Sequence, residues 1–238
     1  MFELMHLIQI ETKKQCVFIS APPPATCESQ VDLCFVIDSS GSIRDNNPAD
    51  RSYDNYELQL QFLTSLVRAF TIGSDATKVG AILFSEQVIL QFTLDTYNTA
   101  DAINAAILAT PYLGQTTNTP EALLQTRTQC FTVANGDRPN VDNLAIVVTD
   151  GVPFPDNRRQ PALEEARALR DSGAKIISIG ITDNIDIEFL REMSSPPQIE
   201  GQNFFTASNF DVLTQIQNTV VEGTCETLEG NDKTSCKL

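Results

Sequence analysis

Three apolar runs constrain this chain more than anything else in it. "VDLCFVID" (31–38), "DNLAIVVTDG" (142–151) and "AKIISIGI" (174–181) carry apolar residues almost without alternation. A strand with one wet face alternates, whereas a strand covered on both faces does not. These runs therefore belong in the middle of a sheet with helices on both sides. Helical patterns lie between them. Tyr56, Leu60, Leu63, Val67 and Phe70 recur at helical spacing, and "TADAINAAILAT" reads as a helix. "TPEALLQTRTQCF" is another, with Thr119 at the cap and Pro120 at the first helical position. "RRQPALEEARALRDSG" has Pro161 near its start and Gly173 past its end. "KVGAILFS" and "QVILQFTL" have only Glu86 and Gln87 at their junction, too short for a crossover, so they form an antiparallel hairpin. "IDIEFLREM" is a short helix and "NFFTA" a short strand. "SNFDVLTQIQNTVV" closes the pattern as a helix opened by Ser208 and Asp211, with Phe210, Leu213, Ile216 and Val220 on its apolar face. The expected fold is α/β: a doubly wound, mostly parallel six-stranded sheet with one antiparallel edge strand and helices on both faces.

The chain has 238 residues, enough for one large domain. Patterning begins near residue 30 and ends near 224. Residues 1–29, which include the stiff "APPPATC", are expected to be a tail or linker, and 225–238 a second tail. The net charge of −15 repels nucleic-acid phosphates and suits cations or basic partners. No run approaches the ~18 apolar residues of a membrane span. Six cysteines, at 16, 27, 34, 130, 225 and 236, include no CxxC pair, and the sole histidine is His6. Zinc is thereby disfavoured, and disulfides in an oxidising compartment are expected. Cys27 and Cys225 flank the patterned region, and Cys34 and Cys130 lie in a strand and at a helix end. Cys16 and Cys236 remain as a third pair, although spacing alone leaves the connectivity open. The opening "MFELMHLIQIETKKQC" has no basic start and no small-residue cleavage site. A secreted chain with that opening is expected to have a truncated or alternative start.

The first run ends in "VIDSSGSI", which presents one carboxylate and three hydroxyls within five positions. A serine nucleophile would need a base, but His6 lies outside the patterned region and no G-x-S-x-G elbow exists. A phosphate loop would need more glycines and a lysine. A hard divalent cation needs only oxygens. Asp38, Ser40 and Ser42 sit at i, i+2 and i+4, and in an extended loop alternate side chains point the same way. Right-handed crossovers bring the carboxyl ends of parallel strands to one edge, so Asp150 belongs beside Asp38. The loop "GQTTNT" offers Thr116 and Thr117 to the same edge.

These residues resemble the start of a von Willebrand factor A domain, the integrin I-like domain. Its metal-ion-dependent adhesion site (MIDAS) reads D-x-S-x-S, with a threonine from a second loop and an aspartate from a third. Asp38, Ser40 and Ser42 match the first part. Thr116, two residues after Gly114, matches the threonine, and Asp150 in "VVTDG" matches the last aspartate. The resemblance spans about residues 30 to 224 and implies a Rossmann-like sheet. It also implies that serines and threonine ligate Mg²⁺ (Mn²⁺ or Ca²⁺ as substitutes) directly, while the aspartates often act through water. An under-neutralised cation then attracts a carboxylate from a partner protein.

The function so implied is non-enzymatic: an extracellular adhesion or matrix module that binds collagen or another matrix protein. A chain in which acidity dominates would instead be a structural, mineral-associated matrix protein. An intracellular chelatase-type module would keep its cysteines reduced. Phe154, Arg158 and Arg159 are expected at the rim, the arginines facing acidic groups. Asp45, Asp50 and Asp54 are candidates for a second cation. Integrin-like members slide their last helix, and a Cys27–Cys225 bridge would hinder that and favour constitutive binding.

Overall fold

The computed structural model describes residues 30–45, 54–151, 153–181, 185–207, 209 and 217–224. The expected tails, Cys16, Cys27, Cys225, Cys236, Asp50 and the opening of the last helix lie outside these residues. In chain order the elements are β1 (Val31–Asp38), α1 (Gly41–Asp45), α2 (Asn55–Val67), β2 (Lys78–Phe84), β3 (Val88–Phe92), α3 (Ala100–Leu108), α4 (Thr119–Gln125), β4 (Asp142–Thr149), α5 (Arg159–Asp171), β5 (Lys175–Ile181), α6 (Ile187–Met193) and β6 (Phe204–Ala207). Residues 217–224 are helical.

One six-stranded sheet runs β3-β2-β1-β4-β5-β6. Every neighbouring pair is parallel except the β2–β3 hairpin at one edge. All eight residues of β1 are buried, as its unbroken apolar run requires of a central strand. The pleat sends Leu33, Phe35 and Ile37 to one face, where they meet α2, α3 and Val220–Val221. Cys34 and Val36 point the other way, to α4, α5 and α6. Each large side chain buried in these two layers contributes roughly 1.5–3 kcal/mol, so the strand at their boundary is the most heavily anchored.

A disulfide joins Cys34 of β1 to Cys130, with Cα atoms 6.6 Å apart and both residues fully buried. Cys130 ends a π-helical turn, Thr126–Cys130, that continues α4. A Cβ on Gly80 of β2 would lie 2.9 Å from the Cys130 sulfur, so a side chain there would crowd the bridge. Helix α4 begins at Thr119, and its cap position falls on Asn118, one residue before the expected cap. The Asn118 side chain makes no capping bond, and its amide donates to the Glu86 carbonyl at 3.2 Å.

At the amino edge of the sheet, Asp32 is fully buried on β1. Its carboxylate accepts from the Arg138 backbone N–H at 2.7 Å and from Nε at 2.9 Å. The same guanidinium donates to the carbonyls of Ser74, Ala76 and Val31. Arg138→Met leaves the Asp32 carboxylate in the core without its guanidinium, held only by the backbone N–H of residue 138. The expected loss is about 3 kcal/mol, the low end for breaking a buried pair because Arg138 is partly solvated. Equilibrium urea unfolding measures it, and Asp32→Asn in the same background should recover part of the loss.

Candidate metal centre

The chain leaves β1 toward β2 and leaves β4 toward β5, on opposite sides. That divergence opens a crevice beyond the carboxyl ends of β1 and β4, where ligands bind in sheets of this kind. Asp38 is the last residue of β1, and Asp150 directly follows β4.

Asp38 is fully buried. One carboxylate oxygen accepts from the Ser40 N–H at 2.8 Å, and the other from the Thr149 hydroxyl at 2.6 Å. Burial pushes this carboxyl above the ordinary carboxylate range, while the Thr149 and Ser40 hydrogen bonds pull it back. The Ser40 and Ser42 hydroxyl oxygens are 3.1 Å apart, and the Ser42 hydroxyl donates to Asp150 at 2.8 Å. Asp38, Ser40, Ser42 and Asp150 are thus joined in one hydrogen-bonded chain, its first link made by the Ser40 backbone N–H. The route differs from the extended loop expected for this stretch, because Ser42 sits in the single helical turn α1. The Asp38 carboxylate holds the Ser40 backbone at the strand end, and α1 then turns Ser42 back toward Asp150.

Residues outside the motif hold this arrangement. From α2, the buried Gln59 donates to the Asp38 carbonyl at 2.8 Å. The Ser39 hydroxyl accepts from the Leu113 N–H at 2.8 Å, and the Ser39 carbonyl from Gly114 at 2.8 Å. Gly114 takes φ +68°, a left-handed turn that glycine adopts without steric cost. At the end of β2, the Ser85 hydroxyl accepts from the Gln115 N–H at 2.8 Å and donates to the Thr116 carbonyl at 3.0 Å. Ser39, Gln59, Ser85 and Thr149 match no motif. Only the placement of Ser85 and Thr149 at the ends of apolar strands on the same edge hints at their roles.

The two threonines differ. The Thr116 hydroxyl donates to the Glu86 carboxylate and accepts from Arg158 Nη1 at 3.2 Å. Arg158 also grips Glu86 with two nitrogens, at 3.0 and 2.9 Å. This guanidinium, helped by Thr116, holds the Glu86 carboxyl at about 2. Thr117 is 6% exposed, and its carbonyl accepts from the Phe154 N–H at 3.1 Å.

At the rim, Phe154 is 57% exposed. Arg159 lies 3.3 Å from Asp186 and 3.6 Å from Glu192, and over the Phe189 ring at 5.5 Å. Both rim arginines therefore already face acidic groups of this chain. Of the second-cation candidates, Asp45 is exposed. Asp54 caps α2 through the Tyr56 N–H at 2.9 Å and pairs with Arg44 at 2.6 Å. Among the described residues, no group of three or more His, Cys, Asp or Glu could hold a metal ion. A cation at this edge would therefore depend on the serine and threonine hydroxyls, which suit hard oxygen-seeking ions.

Known proteins with this pattern place the fold in a family. Mouse collagen alpha-6(VI) chain is 33% identical over 202 residues, covering 85% of this chain and 8% of the collagen. Human matrilin-4 is 35% identical over 186 residues, covering 77% of this chain and 27% of the matrilin. The chain thus spans under a third of either relative's length. A crystal structure of proximal thread matrix protein 1 from the mussel byssus superposes with a TM-score of 0.75 at 25% identity, over 84% of this chain and 49% of that one. A structure of the same byssus protein with a zinc-occupied MIDAS motif gives 0.71 at 29% identity, over 84% and 47%. The von Willebrand factor type A domain model matches residues 32–219, and the chain belongs to that family.

Proposed function

We propose that this chain is an adhesion module of the extracellular matrix, and that it binds a partner protein through a divalent cation. The observation that carries this reading is the hydrogen-bonded chain Asp38–Ser40–Ser42–Asp150, which gathers two carboxylates and two hydroxyls in the crevice with one carboxylate fully buried. The relatives support the setting: collagen VI and the matrilins are matrix proteins, and the byssus protein has taken zinc at its own MIDAS.

Asp38, Ser40, Ser42, Asp150 and one threonine of the 114–119 loop would hold the ion, with Mg²⁺ as the physiological metal and Mn²⁺ or Ca²⁺ as substitutes. The bound ion supplies a positive centre for a carboxylate of the partner, such as collagen or another matrix protein. No covalent bond is made or broken. Three of these five side chains are neutral hydroxyls, so the ion would still attract a further anionic oxygen from the partner.

The Thr116 hydroxyl is already held by Glu86 and Arg158, which favours Thr117 as the threonine ligand. Isothermal titration with Mg²⁺ distinguishes them. Thr117→Val should weaken the ion by at least about tenfold, and Thr116→Val by less than about threefold. The reverse order would return the ligand role to Thr116. For the function itself, the full chain is used to capture proteins from a matrix extract in Mg²⁺. Capture should vanish in EDTA and with Asp38→Ala. Capture unchanged by EDTA would remove the cation from the account and leave surface acidity, the mineral-associated reading, in its place.

A further inference from the structure

The carboxylate edge of the sheet has spent its positive charge internally. Among the described residues there, Arg44 is bound to Asp54 at 2.6 Å, Arg158 to Glu86 at 2.9 Å and Arg159 to Asp186 at 3.3 Å. Arg44 also lies 3.9 Å from the Tyr112 ring centroid. A divalent ion would offset the two central carboxylates, Asp38 and Asp150. Asp45, at the end of α1, and Asp156, after β4, remain exposed within a chain of net charge −15. Among the described residues, the charge left at this edge for a partner carboxylate to meet is therefore negative.

Phe154 stands in the same rim. Pro153 and Pro155 flank it. Its N–H is bonded to Thr117, and its carbonyl accepts from Arg158 at 2.9 Å. The ring is thus presented on a backbone tied at both ends, with more than half its surface in water. A rigid exposed aromatic beside a polar centre is the usual anatomy of an interface anchor.

We infer that the partner offers its carboxylate from a cationic segment: a Glu or Asp flanked by Lys or Arg, with an apolar side chain placed to cover Phe154. This rests on the metal-dependent reading above and narrows its partner class. Flanking cations would cancel the repulsion that Asp45 and Asp156 exert on the incoming carboxylate. Acidic or neutral segments would meet that repulsion uncompensated. Rim charges of this kind act mainly on association rate and are screened by salt.

The test uses the full chain with Mg²⁺ and three synthetic peptides. Each carries one Glu and one Leu, and the flanks are Lys, Ser or Asp. At about 0.02 M salt the lysine-flanked peptide should bind about tenfold tighter than the serine-flanked one, and the advantage should shrink at about 0.5 M. Asp45→Lys with Asp156→Lys should erase the preference. Phe154→Ser should weaken the lysine-flanked peptide about fivefold, and should leave a Leu→Ser version of that peptide unchanged. Metal-dependent binding that ignores the flanks overturns this inference and leaves the cation reading standing. Binding of the lysine-flanked peptide that survives both EDTA and replacement of its Glu by Gln is plain ion exchange, and it overturns both. So does the absence of metal-dependent binding by any of the three.

Discussion

Replacing Cys34 and Cys130 together by alanine is expected to cost about 4 kcal/mol of folding stability. The bridge closes a loop with a sequence separation of 96. Chain entropy for a loop of that size gives about 4.7 kcal/mol, and loss of a native bridge typically costs 2–5 kcal/mol. Its position adds to the effect. It ties the central strand β1 to the turn that ends α4, so it spans the sheet and the helical layer on one face. Both cysteines are fully buried, so a reductant reaches the bridge only when that layer opens. Urea unfolding of the oxidised chain and of the double variant measures the difference as a shift in midpoint. A loss under about 1 kcal/mol would mean that the loop entropy is already limited in the unfolded chain. Cation binding should be unchanged in the folded fraction, because Cys34 faces the layer opposite α2 while the site lies beyond the strand end.

The sheet was readable because burial on both faces leaves a plain mark: the three apolar runs have no alternation to confuse with an edge strand. The hairpin was readable because its junction is too short for anything else. The five-residue helix α1 was not, since one turn has too few positions to show a period. That matters for the site. Ser42 reaches Asp150 through a helical turn rather than by extended alternation, and the spacing i, i+2, i+4 is compatible with both. The choice between Thr116 and Thr117 was equally invisible, because adjacent threonines have the same chemistry. What separates them is Glu86, thirty positions away in sequence from Thr116. The rim arginines were expected to face acidic groups, but which groups was not legible, because the partners lie far along the chain: Glu86 is 72 residues from Arg158, and Asp186 is 27 from Arg159. Asp32 and Arg138 are 106 residues apart, and no local pattern marks either one. Strand ends are local facts, and ion pairs between loops are consequences of topology.

Asp38→Asn is expected to stabilise the metal-free chain wherever the pH is high enough to ionise Asp38, while removing its response to Mg²⁺. The Asp38 carboxyl is fully buried, and burial raises it above its unfolded value. A carboxyl raised in the folded state favours folding at low pH, and turns against it as pH rises through the folded value. Above that value the metal-free protein therefore holds an ionised group that its surroundings disfavour. Asparagine removes that charge at nearly the same shape. Its Oδ1 can still accept from the Ser40 N–H, and the Thr149 hydroxyl, which also contacts the Gly151 carbonyl, can rotate to accept from the new amide. With the ion present the comparison reverses. At a hundredfold excess over the dissociation constant, Mg²⁺ should add about 2.7 kcal/mol to the wild type and nothing measurable to the variant. The stability curves of the two proteins should then cross as Mg²⁺ is titrated, a pattern that a merely structural Asp38 does not produce. Equal stabilisation of both by Mg²⁺ would place the ion elsewhere, and a variant less stable than wild type in EDTA would show that the buried charge is already compensated. The crossing carries the functional logic of the edge. A carboxylate that costs stability when the site is empty is held at the end of the most buried strand, where a cation can offset it and a partner can complete the charge.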